Sequence, residues 1–372
     1  MDAPGRHVPR MYRTVAGTMV PHSSRARGRV ALHFGRRASQ LMGSSTHPLS
    51  QRDVHFTAEL GAEAMRLACA TQIEPADGAK REDCTVLLLI SSAAGYERRR
   101  DVVRRTYLSL LDPASAASPL SAELRASVKY RFLLGAPEPA QAAALAAEQA
   151  EHGDLLQVAV PESYETLFPK LVASWRWAIC THKFQYFMHA DDDSFVRLEK
   201  LLAWLTSYEA RAPERAPRLY AGYIWDGSEG RRTKPLRDPA QKSYMPVEQW
   251  PHDAYPPFAS GCGFLIAHQL VDALARRADG LQYCRLFDVP VGIAIAQHEP
   301  PAAIEHLPEV RPYRPLPLYQ PDTIVQHYMQ PEEFRQFFDK AYGAPPSAEE
   351  QAADARIAAV YDMFVGAKVL RR

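Results

Sequence analysis

Residues 184–198 read Phe-Gln-Tyr-Phe-Met-His-Ala-Asp-Asp-Asp-Ser-Phe-Val-Arg-Leu. The apolar positions Phe184, Tyr186, Phe187 and Met188 run into three consecutive carboxylates, Asp191, Asp192 and Asp193, and Phe195 and Val196 follow at once. An apolar run of this length between polar residues is the signature of a buried strand, and here the strand ends in acids. Ligands of open α/β sheets bind beyond the carboxyl ends of the strands. Adjacent carboxylates repel one another unless water or a cation compensates them. On the triplet alone, a metal or phosphate site and an acidic surface turn are both open.

The sequence on either side repeats the strand pattern. Residues 85–91 form a continuous apolar run of parallel-strand type. A helix is predicted over 97–110, a second strand over 130–134, and a helix over 139–152 closed by Gly153. A third strand over 155–159 and a long helix over 163–181 lead into the acidic strand, which is the fourth. Strands alternating with helices at this spacing predict a doubly wound α/β sheet. Beyond the acids come a helix over 196–208 and a strand over 219–224. The charged segment 225–257 is long enough to carry a function of its own. The strand over 258–266 is broken by Ser260-Gly261-Cys262-Gly263, where the backbone is expected to approach a ligand closely. Asp288 opens a short helix, a late strand covers 323–327, and a helix starts at Pro331.

The 372 residues are 47% hydrophobic and 10% aromatic, enough for a substantial core. The 44 basic and 43 acidic side chains give a net charge of +1, which argues against a dedicated nucleic-acid binder. None of the five cysteines lies in a Cys-x-x-Cys pair, so a zinc ribbon is not expected. No stretch has 18 consecutive apolar residues, so no transmembrane helix is predicted in the chain as given. Positions 1–52 hold nine arginines against the single acid Asp2. Residues 1–80 are therefore expected to be a basic arm with a helix near 58–70. Residues 81–342 are expected to be one catalytic domain, and residues 343–372 a C-terminal helix.

A hard divalent ion such as Mg²⁺ or Mn²⁺ takes oxygen ligands and commonly bridges carboxylates to substrate phosphates. An acidic cluster at a strand end therefore suits a nucleoside-diphosphate substrate, and Asp288 is either a base or a helix cap. Six blocks carry a further likeness: Arg100-Asp-Val-Val-Arg-Arg-Thr-Tyr107, Phe132-Leu-Leu-Gly135, His152 to Gln157, Asp191-Asp-Asp-Ser-Phe-Val196, Tyr255-Pro-Pro-Phe-Ala-Ser-Gly-Cys-Gly-Phe264, and Asp288-Val289 with Gly292. In this order, over residues 84–338, they resemble the inverting β1,3-glycosyltransferases typified by the β1,3-galactosyltransferases. The chain departs from that pattern at His189, where the family has lysine, at Tyr107, where it has Trp, and at Phe287, where it has Glu.

The resemblance implies a GT-A fold with a mixed sheet flanked by helices. It also implies Mn²⁺, with Mg²⁺ possible, held by Asp193 and His327, with Asp191 nearer the ribose and Asp192 among the nucleotide contacts. By the same resemblance Ser91, Arg100 and Arg104 would line the nucleotide and Asp288 would be the base. Ser260, Gly261, Gly263 and Trp225 would face the acceptor. The implied donor is UDP-galactose or UDP-N-acetylglucosamine, the acceptor a glycan hydroxyl and the linkage β1,3. Such enzymes are usually anchored in the Golgi membrane, which would place an anchor outside this sequence. A catalytically silent member that binds UDP or sugar is the alternative, favoured by Phe287 and His189. A metal phosphohydrolase would leave Ser260 to Phe264 and Asp288 without a role.

Overall fold

The computed structural model describes residues 51–70, 80–231, 233–315 and 317–343. Ten strands, numbered in chain order, are β1 (Glu82–Ser91), β2 (Val128–Ala136), β3 (Leu155–Pro161), β4 (His182–Asp191), β5 (Phe195–Val196), β6 (Leu219–Trp225), β7 (Phe258–Ala267), β8 (Ala303–His306), β9 (Val310–Arg311) and β10 (Val325–Gln326). The principal helices are α1 (Gln51–Ala70), α2 (Glu97–Arg105), α3 (Ala142–His152), α4 (Leu167–Thr181), α5 (Leu198–Arg211), α6 (His268–Arg276), α7 (Asp288–Ala296) and α8 (Pro331–Tyr342).

A seven-stranded sheet runs in the order β3-β2-β1-β4-β7-β6-β8, with β7 antiparallel to both of its neighbours and the other pairs parallel. This is the mixed sheet flanked by helices that was expected. Both faces are covered, which explains why β1 reads as an unbroken apolar run. Val86, Leu88 and Ile90 face one core together with Val103, Leu201 and Phe334. Leu87 and Leu89 face the other, with Trp175, Leu270 and Val291. The period-2 alternation of a strand serves two buried faces at once.

Order reverses between β1 and β4. From β1 the chain winds outward through β2 and β3, then returns to lay β4 on the other side of β1. That switch point is where a doubly wound sheet opens a crevice at its carboxyl edge. Ser91 and Asp191 are register partners there.

Four features differ from the sequence reading. The helix expected near 58–70 is present and longer, as α1 over 51–70, and it is not part of a free arm: it places Leu60, Ala64, Met65 and Ala68 out of solvent. Its Ala64, Met65 and Ala68 join the second core, so the folded unit begins well before residue 81. Strands β8 and β9 were not predicted, because four residues after Pro300-Pro301 and an isolated pair carry too little periodicity. Thirdly, Val196, expected to open the helix over 196–208, lies with Phe195 in strand β5, paired with β10, which also lies parallel to β9. Finally, the charged segment after β6 supplies Met245, Trp250 and Tyr255 to a third apolar cluster with Phe258 and Val289. The C-terminal helix expected over 343–372 lies outside the described residues beyond Gly343, and most of the basic arm does as well. The five cysteines are unpaired thiols.

Candidate active site

A cavity of about 520 Å³ opens at the carboxyl ends of β1 and β4. That volume lies within the range of small-molecule sites. Ser91, Asp191, Asp192, Asp193, Trp225, Ser260, Gly261, Asp288 and His327 all line it, so residues spread over more than 230 positions converge on one space.

The acidic strand end is organised by its neighbours. Two carboxylates, Asp191 and Asp193, and the His327 imidazole bring three ligand atoms within 4.8 Å of one another. His327 Nε2 lies 3.2 Å from Asp193 Oδ1 and 3.5 Å from Asp191 Oδ2. The small sheet makes this possible. Pairing of β10 with β5 sets Gln326 opposite Phe195, and the Met329 N–H then donates to the Asp193 carbonyl at 3.0 Å. Tyr328 turns the chain between them with a φ of 58°, in the left-handed region that a tyrosine rarely occupies. Its ring stacks on His327 at 3.9 Å. Burial raises the Asp193 carboxyl, but its contact with His327 and the Arg99 charge outweigh this and hold it below the usual carboxylate range. Two carboxylate oxygens and one imidazole nitrogen are a donor set that fits a divalent cation.

Asp192 differs from its neighbours. It is 3% exposed, and its oxygens accept hydrogen bonds from Ser92 Oγ at 2.6 Å and Arg99 Nη1 at 2.9 Å. Burial pushes its pKa up to about 6 against these two donors. Its place is to hold Arg99 and the end of β1, with only its edge on the cavity.

The arginines need correction. Arg100 and Arg104, expected at the nucleotide, do not line the cavity. Arg100 is fully buried and forms a two-pronged pair with Glu148 at 2.6 and 2.7 Å, while also donating to Ser92 Oγ at 3.0 Å. Arg104 does the same with Asp154 at 2.8 Å and reaches Glu148 at 2.7 Å. The pair therefore clamps α2 to α3 and its C-terminal loop. The arginine on the cavity is Arg99, its guanidinium 4.6 Å above the Tyr96 ring and 3.8 Å from Asp193. Three arginines in a row, Arg98 to Arg100, differ by one helical step each, and only tertiary packing selects the one that faces the ligand.

The glycine-broken strand also needs correction. A Cβ on Gly261 would lie 2.3 Å from the Phe287 ring, and one on Gly263 would lie 3.0 Å from Val325. The groups that approach closely are the protein's own side chains. Gly263 is absent from the cavity wall, whereas Gly261 and Ser260 are on it. Gly261 N–H donates to Asp288 Oδ2 at 3.3 Å, and Val289 N–H donates to Oδ1 at 3.0 Å. Burial pushes the Asp288 carboxyl up to about 6, opposed by these backbone donors and aided by the nearby Asp191 charge. A carboxylate raised in this way and fixed at a cavity wall is equipped to take a proton near neutral pH. Sequence reading assigned no role to Tyr96, Arg99, Tyr164, Lys234, Lys242 or Tyr328, which also line the cavity. Apart from Arg99 on α2, these are isolated residues outside the helices and strands, which carry no periodic signal.

A family profile described as "Galactosyltransferase" matches residues 98–302. The chain belongs to the galactosyltransferase family. It is 33% identical over 244 residues to beta-1,3-galactosyltransferase 6 of Mus musculus, an alignment covering 62% of this chain and 69% of that one. It is 27% identical over 265 residues to beta-1,3-galactosyltransferase brn of Drosophila melanogaster, with 69% and 74% covered. A human relative, named acetylgalactosaminyl-O-glycosyl-glycoprotein beta-1,3-N-acetylglucosaminyltransferase, is 30% identical over 230 residues. Of that protein's own length the chain spans only 54%, and it covers 59% of itself in doing so. This galactosyltransferase-family chain is thus a glycosyltransferase whose cavity holds the acidic strand end and a second, separate carboxylate. Among the described residues no helix is long and apolar enough to cross a membrane.

Proposed function

We propose that the protein transfers galactose or N-acetylglucosamine from a UDP-sugar to a glycan hydroxyl, forming a β1,3 linkage with inversion at the anomeric carbon. One observation carries this reading: the Asp191, Asp193 and His327 cluster and the Asp288 carboxylate face the same cavity from different elements. A donor diphosphate would lie at the first, and an acceptor hydroxyl at the second. Asp193, Asp191 and His327 would hold Mn²⁺ or Mg²⁺, which when bound neutralises charge on the departing diphosphate.

The chain's own groups supply the remainder. Asp288 accepts the proton of the acceptor hydroxyl as that oxygen attacks the anomeric carbon from the face opposite UDP. The new C–O bond forms as the bond to the β-phosphate breaks, and UDP leaves with the electron pair. Backbone donors from Gly261 and Val289 orient the base, a contribution of about 10²–10⁴ in rate for a positioned base. Arg99 and Tyr96 flank the diphosphate side, and Trp225 at the end of β6 offers a ring face to the acceptor. The relatives' names support galactose or N-acetylglucosamine as the transferred sugar. The family likeness supports residence in the Golgi.

The test is a screen of UDP-sugars with Mn²⁺ and glycan acceptors, with UDP release as the readout. Asp193→Asn should abolish metal-dependent UDP binding, and Asp288→Asn should retain that binding while losing transfer. Wild-type turnover in Asp288→Asn would refute the assigned base. The silent alternative rests on Phe287 and His189, and micromolar UDP binding with no transfer from any UDP-hexose would favour it.

A further inference from the structure

We propose that His189 and Phe287 form an aromatic strut that ties the cation-side carboxylate Asp191 to the base Asp288, with His189 as a positioning residue. The inference rests on the roles proposed above for those two carboxylates.

His189 lies two residues before Asp191 on β4 and is 1% exposed. Its ring stacks on Phe264 of β7 at 5.0 Å with 17° between the planes, and meets Phe287 at 5.0 Å. Nε2 is 3.4 Å from Asp191 Oδ1, and neither ring nitrogen makes a hydrogen bond. The ring is thus held by packing and touches the site through one edge. Phe287 immediately precedes Asp288, and its ring fills the space that a Cβ on Gly261 would need. Gly261 in turn donates to Asp288. One stack therefore joins β4, β7 and the start of α7, the three elements that carry the reacting halves of the site.

These two residues are also two of the three places named above where the chain departs from the pattern it resembles, which has lysine and glutamate there. In space these two touch. A carboxylate at 287 would add a like charge beside Asp288 at the cavity wall, which is unfavourable unless compensated, whereas an ammonium at 189 would lie between two phenyl rings beside Asp191 and could supply that compensation. Two neutral rings fill the same space with no charge to compensate. The substitutions are complementary, and together they preserve the site.

A four-cornered cycle tests this with the parent, Phe287→Glu, His189→Lys and the double variant. Phe287→Glu should lower kcat by about 100-fold, and the double variant should recover to within about 10-fold of the parent, since touching residues couple non-additively. His189→Phe keeps the stack without the nitrogen, and should raise the Mn²⁺ concentration for half-maximal rate while leaving kcat within about 3-fold, as expected for a contact that acts on Asp191 alone. Phe287→Leu serves as the milder probe where the glutamate variant does not fold, and should lower kcat with the acceptor KM unchanged. Parent-like kcat in a folded Phe287→Glu or Phe287→Leu, or a folded double variant no better than Phe287→Glu, would overturn the strut. If the parent transfers no sugar, the same cycle is read in melting temperature and Mn²⁺-dependent UDP binding. Coupling there supports the strut even though the transferase reading has failed, and additivity refutes it.

Discussion

As the proposed base, Asp288 would trade stability for reactivity. Its carboxyl is pushed from 3.8 up to about 6 in the folded protein, mainly by burial. A raised pKa means that the protonated form is favoured on folding, so the associated stability is present below about pH 4 and is lost as the pH rises through 6. Above that, the ionised group costs at most about 3 kcal/mol, less to the extent that cavity water reaches it. Asp288→Asn should therefore melt above the parent at pH 7.5, with the difference closing at pH 4, while transfer is lost. The same shift predicts a kcat/KM profile that falls on the acid side of about pH 6, measured as UDP release across pH 5–8. The arginines are distinguished by another pair of variants. Arg100→Ala takes the two-pronged partner from Glu148, leaving it the single contact from Arg104, and should cost about 2–3 kcal/mol in chemical denaturation. Arg99→Ala should raise the KM for the donor and lower the denaturation midpoint by less than Arg100→Ala does, because Asp192 keeps its hydrogen bond from Ser92. From the sequence both arginines were equally legible as basic residues on one helix. Which of them is buried depended on Glu148, 48 residues from Arg100 in the chain.

Among the elements, the small sheet and α1 do work that their short or weak patterns concealed. Strand β10 is two residues long, yet it carries His327 to the acidic strand end. Val325 packs against the bare backbone of Gly263, with both methyl groups 3.0–3.1 Å from where a Cβ would be. Gly263→Ala should push β10 outward and raise the Mn²⁺ requirement several-fold with only a small change in melting, as titration of the metal in the transfer assay would show. For α1, burial of Leu60 and Met65 should contribute about 3–6 kcal/mol. A chain beginning at residue 71 should accordingly unfold at markedly lower denaturant than one beginning at residue 51; equal midpoints would return α1 to the status of an arm. Its sequence, rich in Ala and Glu, has only a narrow apolar stripe. That stripe is persuasive only when the second core is seen to need a cover.

Because the cavity is assembled from both sides of the β1–β4 switch point, the proposed ligands should stabilise the whole molecule as a unit. UDP and Mn²⁺ together, at 100 times their dissociation constant, should stabilise the fold by about 2.7 kcal/mol. The rise in melting temperature should disappear on chelation and be absent in Asp193→Asn. The sequence by itself determined the parallel half of the sheet, the acidic end of the fourth strand, and the residue types of the site. These are local facts, written in apolar periodicity and in motifs a few residues long. Only the tertiary structure decided which arginine faces the cavity, that Gly263 makes room for Val325 and not for a ligand, and that His189 and Phe287 touch. Each of these depends on contacts between segments far apart in the chain, and burial and charge compensation are settled only when such segments meet.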